Sequence, residues 1–163
     1  MPAKRKRAGP SDPAAENFMS ACATLRAHPL FGPLFAHAQV IREERNLCPP
    51  AGWAVVTTNG YLHVHPKRRG EPAEWVYVLA HCLLHLGFGH LRERPQAREW
   101  NAACDCFLAR FLGDLKLGRP PEDMRISTDF PARTEERLYE FFCAHGIRSE
   151  EHTSELQSLA YLV

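Results

Sequence analysis

Two histidines stand four residues apart in the most apolar stretch of the chain, at His81 and His85. A helix turns by about 100° per residue, so this spacing places both imidazoles on one face, where they can reach the same metal ion. The stretch from Trp75 to Leu86 is otherwise rich in Leu, Val and Ala, and burying imidazole nitrogens there without partners is costly. The spacing therefore favours a metal site over a pair of structural core histidines.

A metal site needs a third protein ligand, and two residues downstream can supply it. Asp105 follows His81 by 24 residues on the next predicted helix, which can return the carboxylate over the histidine pair. His90 is the alternative third ligand. An uninterrupted helix would place His90 opposite His81, but a break at Gly87 or Gly89 can swing it round. The competing interpretations are that Asp105 is a hydrogen-bond partner of a ligand histidine or lies on the helix surface, and that His90 caps the C-terminal end of its helix.

Helices and one hairpin must position these side chains, and the fold class predicted from them is α+β. The strongest hairpin signal is Asn59-Gly60 between two β-rich runs, because this dipeptide tolerates the positive φ angles of a tight turn. The architecture is therefore mostly helical with a small antiparallel hairpin or sheet. The predicted helices cover residues 16–28, 30–37, 73–86, 98–115 and 133–145, the hairpin strands residues 53–58 and 61–66, and a further short strand residues 40–41.

From Trp75 to Leu112 the chain resembles the metallopeptidase-like domain found N-terminal to von Willebrand factor A-like domains in bacterial proteins. That family reads HExxHxxxxH, a nearby Arg and then W-N-x-A-x-D. Here the pattern is matched by the two histidines above, by His90 and Arg92, and by Trp100-Asn101-Ala102-Ala103-Cys104-Asp105. The resemblance implies a zincin-like fold, a bound Zn²⁺, a peptide or protein substrate, and an A-like domain downstream.

Cys82 stands where the family has its glutamate. In such hydrolases the metal polarises the substrate carbonyl and acidifies water, and the glutamate takes the proton from that water. A cysteine side chain is about two atoms shorter than glutamate, and a thiolate beside a metal can become a ligand and close the position that catalysis needs. The residue in the usual catalytic position, Cys82, therefore has a doubtful catalytic role.

With Cys82 in place of the family's glutamate, three functions are open. The first is a zinc-binding, metallopeptidase-like domain that hydrolyses peptides weakly or not at all. The second is an active metal-dependent hydrolase that uses another base, such as His90. The third is a structural metal module for assembly, in which Cys82, Cys104 or Cys106 joins the histidines as a ligand.

The termini differ in composition from the body of the chain. Residues 1–13 contain the basic run Lys4 to Arg7, and we predict that they form a disordered tail. Residues 148–163 resemble the in-frame translation of a common short-read sequencing adapter. We therefore expect this stretch to be non-native, and the metallopeptidase-like domain, residues 14–147, to be truncated at its C-terminus with its A-like domain missing.

Composition excludes several other classes. The chain carries a net charge of +1, and the body without its basic tail is near neutral, so no nucleic-acid partner is expected. The longest apolar run is far shorter than the roughly 20 residues of a membrane span, and no secretory signal is present. The six cysteines contain no CxxC motif, which is typical of reduced thiols, and the predicted location is the cytoplasm.

Overall fold

The structure is a computed structural model, and it describes residues 12–147 together with the backbone of residues 161–162. Five α-helices and a small sheet make up the described residues, which confirms the α+β class. The helices are α1 (Pro13–Ala27), α2 (Phe31–Ala36), α3 (Pro72–Gly87), α4 (Ala97–Leu115) and α5 (Glu135–His145), and the strands are β1 (Gln39–Ile41), β2 (Ala54–Thr57), β3 (Tyr61–Val64) and β4 (Tyr161–Leu162).

The helix starts are fixed by local capping. Asp12 caps α1 by accepting a hydrogen bond from the backbone N–H of Ala14, and Pro13 occupies the first helical position, where its missing N–H costs nothing. A capping box formed by Glu71 and Glu74 starts α3. α5 begins at Glu135, two residues later than predicted, because its helical register starts at the Thr134 cap.

The hairpin is confirmed, but the prediction of an antiparallel sheet is wrong in part. β2 and β3 pair antiparallel around the tight turn, in which Gly60 has φ +82°. β1 pairs with β3 in parallel, and β4 pairs with β2 in parallel, giving the order β1-β3-β2-β4. The loop over residues 42–53 reverses the chain between β1 and β2. The turn reverses it again, so β3 runs in the direction of β1.

α3 is the central element of the fold. Every residue from Trp75 to His85 is buried, as expected for a helix that is apolar all round. It packs against α1, α2, the sheet and α4 and contributes most of the main hydrophobic core. Among the described residues, no helix has both the length and the apolar character needed to cross a bilayer.

α4 connects this main core to a second one. One part of its surface packs against α3, and another holds Ala102, Ala103 and Cys106 against Leu138 and Phe142 of α5. The helix predicted over residues 98–115 is confirmed. The buried apolar residues of α4 pack into two separate hydrophobic cores. Asp105 is also a buried residue of α4.

A tight contact fixes the loop that follows α4. Gly118 has φ +69°, and a Cβ on it would lie 2.7 Å from both the Ala73 carbonyl oxygen and the Tyr77 nitrogen. Only glycine combines this backbone conformation with so close an approach. The loop is therefore held directly against the first turns of α3, next to the helix face that carries the histidines.

Candidate metal centre

The structure brings His81, His85 and Asp105 together in the interior. The histidines lie one turn apart on α3, and the carboxylate reaches them from α4, which packs beside α3. The three side chains form the group of potential ligands found among the described residues. The structure thus places the Asp105 carboxylate beside the histidine pair, and its role as the third metal ligand stays a prediction.

The potential ligand atoms form a small triangle. The Nε2 atoms of His81 and His85 lie 2.9 Å apart. Oδ1 of Asp105 lies 3.0 Å from His81 Nε2 and 3.1 Å from His85 Nε2. Three donors from two helices thus point to one place, which is the arrangement that a shared ion requires.

These atoms fit a metal ion in kind and in spacing. Two ligands of a tetrahedral zinc at about 2.0–2.1 Å are roughly 3.4 Å apart, so a shift of a few tenths of an ångström would admit the ion. In addition, His81 Nδ1 is buried without a hydrogen-bond partner among the described residues. A histidine that binds through Nε2 keeps its proton on Nδ1, and this tautomer is open to His81.

Burial sets the charge state of the group. Desolvation lowers the pKa of His85 to about 4, against the opposing effect of the hydrogen bond with Asp105. His85 is therefore neutral at pH 7, the form that binds a metal. Burial acts to raise the pKa of Asp105, but the hydrogen bonds from His81 and His85 outweigh it and hold that pKa below its usual range. The carboxylate is 6% exposed.

His90 lies beside the group without joining it. After α3 ends, the His90 N–H donates to the His85 carbonyl, and Gly89 takes φ +67°. This turn swings the His90 ring to a centroid distance of 5.2 Å from the His85 ring. Its two ring nitrogens are buried without hydrogen-bond partners in the described part of the chain. The break at Gly89 therefore turns His90 toward His85. The third potential ligand atom nearest the histidine pair nevertheless belongs to Asp105.

The three cysteines considered as ligands lie outside the group. Cys82 is fully buried and belongs to the main hydrophobic core, and burial raises the pKa of its thiol. Burial also raises the pKa of Cys104, and the Cys106 thiol donates to the Ser127 carbonyl. The potential ligand set within residues 12–147 is therefore two imidazoles and a carboxylate, without sulfur.

The charged segment after His90 is anchored to the two following helices. The guanidinium groups of Arg92 and Arg94 both stack on the Trp100 ring, at 4.6 and 4.5 Å from its centroid. Both also donate to the Glu136 carboxylate of α5. This arrangement ties the loop that carries His90 to α5. Sequence patterns miss such a contact because its partners lie more than 40 residues apart.

Sequence reasoning also missed Tyr77 and Glu135. Tyr77 precedes His81 by one helical turn, and their ring centroids are 6.0 Å apart. The i−4 spacing was a usable signal, but a tyrosine within an apolar helix normally indicates core. Glu135 places Oε1 3.9 Å from His90 Nε2, and no sequence signal linked these two residues.

The described residues thus define an α+β domain with a buried His81–His85–Asp105 group that can hold a metal ion. Comparison of the chain with protein-family models, with curated proteins and with solved structures gave no match. Any function must therefore be argued from the residues of this chain.

Proposed function

We propose that the chain is a zinc-binding, metallopeptidase-like domain whose general-base glutamate is replaced by Cys82, so that it hydrolyses peptides weakly or not at all. The observation that carries the proposal is the convergence of His81 Nε2, His85 Nε2 and Asp105 Oδ1 within 3.1 Å of one another. Two imidazoles and a carboxylate are a frequent ligand set of catalytic zinc. The proposed substrate class is a peptide or protein.

The environment of Cys82 explains why hydrolysis would be weak. A general base must exchange protons near the working pH, whereas burial holds the pKa of this thiol far above neutrality. Cys82 therefore stays protonated at pH 7 and packs as a small apolar residue. When bound, the metal supplies Lewis acidity toward a carbonyl group. His81, His85 and Asp105 hold it in place, and proton transfer lacks its usual residue.

The decisive test is the metal content of the purified full-length chain, measured by elemental mass spectrometry. We expect about one zinc per chain, and none in the His85→Ala variant, because two remaining donors hold an ion poorly. The matched control is His37→Ala, since His37 is exposed and outside the group, and its zinc content should be unchanged. A metal-free wild-type chain, or zinc retained by His85→Ala, would overturn the proposal.

A structural metal module is the second candidate, and the burial of all three potential ligands favours it. Structural zinc is fully coordinated by protein, whereas a catalytic site keeps one open position. The visible spectrum of the cobalt-substituted protein separates the two. With an open position, as we expect, added azide should change the spectrum, whereas an unchanged spectrum would favour the structural module. A strong thiolate charge-transfer band would show that a cysteine is a ligand after all.

A further inference from the structure

A cavity of about 430 Å³ opens beside β1, the strand at one end of the sheet. We call it the β1 cavity. It lies between the last turn of α1, the short helix α2 and the strand itself, and its walls are mainly apolar. The described residues that line it are Arg26, Gly32, Phe35, Ala36, Ala38 and Val40. The β1 cavity therefore shares no residue with the candidate metal centre.

The outer edge of β1 carries a free pair of backbone groups. Among the described strands, β1 pairs with β3 alone. The Gln39 N–H donates to the Gly60 carbonyl, on the β3 side of the strand, and successive residues of a strand direct their backbone groups to alternate sides. The N–H and C=O of Val40 therefore point away from β3, and no described residue bonds to either of them.

The free pair and the cavity belong to one site, because the Val40 side chain lines the cavity. Val40 lies opposite the buried Leu62 of β3, so its side chain points to the face of the sheet that packs on the core. An added residue that lies antiparallel to Val40 can exchange both hydrogen bonds with it. Directly opposed residues point to the same face, so the side chain of the added residue enters the β1 cavity.

The charge of the cavity is positive. Arg26 stacks on the Phe35 ring at 4.8 Å from its centroid, which keeps the guanidinium beside the cavity. Arg26 is exposed and forms no ion pair with any described residue. No acidic side chain is found among the described residues that line the cavity. An unpaired guanidinium in this position is complementary to a carboxylate of a ligand.

We propose that the β1 edge binds an extended, acidic segment of another protein, which adds to the sheet as a strand antiparallel to β1. Strand addition to a sheet edge gives affinity through main-chain hydrogen bonds and specificity through side-chain pockets. The free pair at Val40 selects an extended backbone, the cavity selects an apolar side chain, and Arg26 selects a carboxylate. The carboxylate belongs to a residue two positions from the apolar one, because alternate side chains of a strand share a face.

The test is the fluorescence anisotropy of a labelled peptide titrated with the full-length chain. The probe is Ser-Glu-Val-Phe-Val-Glu-Ser, labelled at its N-terminus and amidated at its C-terminus. Its phenylalanine fills the cavity, and a glutamate stands two residues away on either side, so one of them faces Arg26. Glycine in place of the phenylalanine should weaken binding at least about tenfold. Glutamine in place of both glutamates should weaken it about two- to fivefold, the usual effect of an exposed ion pair.

Methylation of single backbone nitrogens tests the strand pairing itself. In the proposed complex the N–H of the phenylalanine donates to the Val40 carbonyl, so its N-methylation should weaken binding at least about fivefold. The N–H of the following valine points away from β1, and its N-methylation is the matched control, with a change of less than about twofold expected. Equal binding of all three forms, or an equal loss for both methylated forms, would overturn the inference.

Variants of the protein test the carboxylate contact. Arg26→Gln should weaken binding of the glutamate probe about two- to fivefold and leave binding of the glutamine form unchanged. Arg98→Gln is the matched control, because Arg98 is an exposed cation on α4 outside the cavity, and it should bind both peptides as the wild type does. Loss of the glutamine form in Arg26→Gln would contradict the assigned contact.

A second copy of the chain is the competing occupant of the β1 edge, and sedimentation of the chain alone identifies it. Failure to bind the probe would overturn the inference, and a dimer in that case would assign the edge to a second copy. Because the peptide comparisons use unmodified protein, they stand even if a variant misfolds. They also stand whether or not the chain holds zinc, since the β1 cavity and the metal group have no residue in common.

Discussion

Replacing Cys82 by glutamate is expected to create peptidase activity, or to raise it by roughly 10²- to 10⁴-fold, the usual contribution of a positioned general base. Cys82 follows His81 directly on α3, so the longer carboxylate would extend from the helix that carries both histidines. The measurement is zinc-dependent cleavage of a broad, fluorescence-quenched peptide panel. The glutamate would also bury a charge in the main core, so we expect a loss of stability.

Cys82→Gln is the matched control for this gain. Glutamine has nearly the shape of glutamate but cannot accept the proton, so the variant should stay as inactive as the wild type. It should disturb the packing around position 82 much as glutamate does. Zinc content must be measured on the same samples. If the glutamate variant keeps its zinc, folds cooperatively and cleaves no peptide of the panel, then the missing glutamate is not what limits activity.

Acidification is expected to destabilise the chelator-treated protein strongly between pH 6.5 and pH 4. Desolvation lowers the pKa of His85 to about 4 and that of His90 to about 3. In this pH window the unfolded chain binds protons at both positions and the folded chain does not, so the free energy of unfolding falls as the pH falls. The shift at His85 alone corresponds to roughly 3 kcal/mol.

Urea unfolding in EDTA at a series of pH values between 7 and 4 measures this loss. His90→Phe isolates one contribution, because its new ring would lie among Phe88, Trp100 and Phe107, which the imidazole now contacts. In the His90→Phe variant the free energy of unfolding should depend less on pH. Between pH 7 and pH 5 it should fall by less than in the wild type. A wild-type stability independent of pH over this range would show that the histidines are solvated in the folded protein.

Local sequence signals predicted the elements that carry the site. The apolar run predicted α3 and Asn59-Gly60 predicted the hairpin, because each signal is contained within one element. The i, i+4 histidines then defined a face of α3, and one carboxylate on the following helix completed the group. The identity of the metal and the peptidase-like chemistry stay predictions.

Contacts between distant segments could not be predicted in this way. The parallel pairing of β1 with β3 depends on how the intervening loop reverses the chain, which no local pattern encodes. The glycines after α3 indicated a break, but the direction in which His90 turns depends on packing against Trp100 of α4. The pairing of Arg92 and Arg94 with Glu136 depends on where α5 packs. From the sequence alone, a segment rich in charged residues normally indicates a solvated loop.

Because α5 follows the three donors in the chain, the helix that packs on α4 is synthesised after them. Asp105 leaves the ribosome before Leu138 and Phe142, the α5 residues that pack against its own helix. At roughly 5–20 residues per second, the three donors are synthesised a few seconds before α5 can dock. All three donors are therefore present on the nascent chain before the face of α4 that packs on α5 is covered.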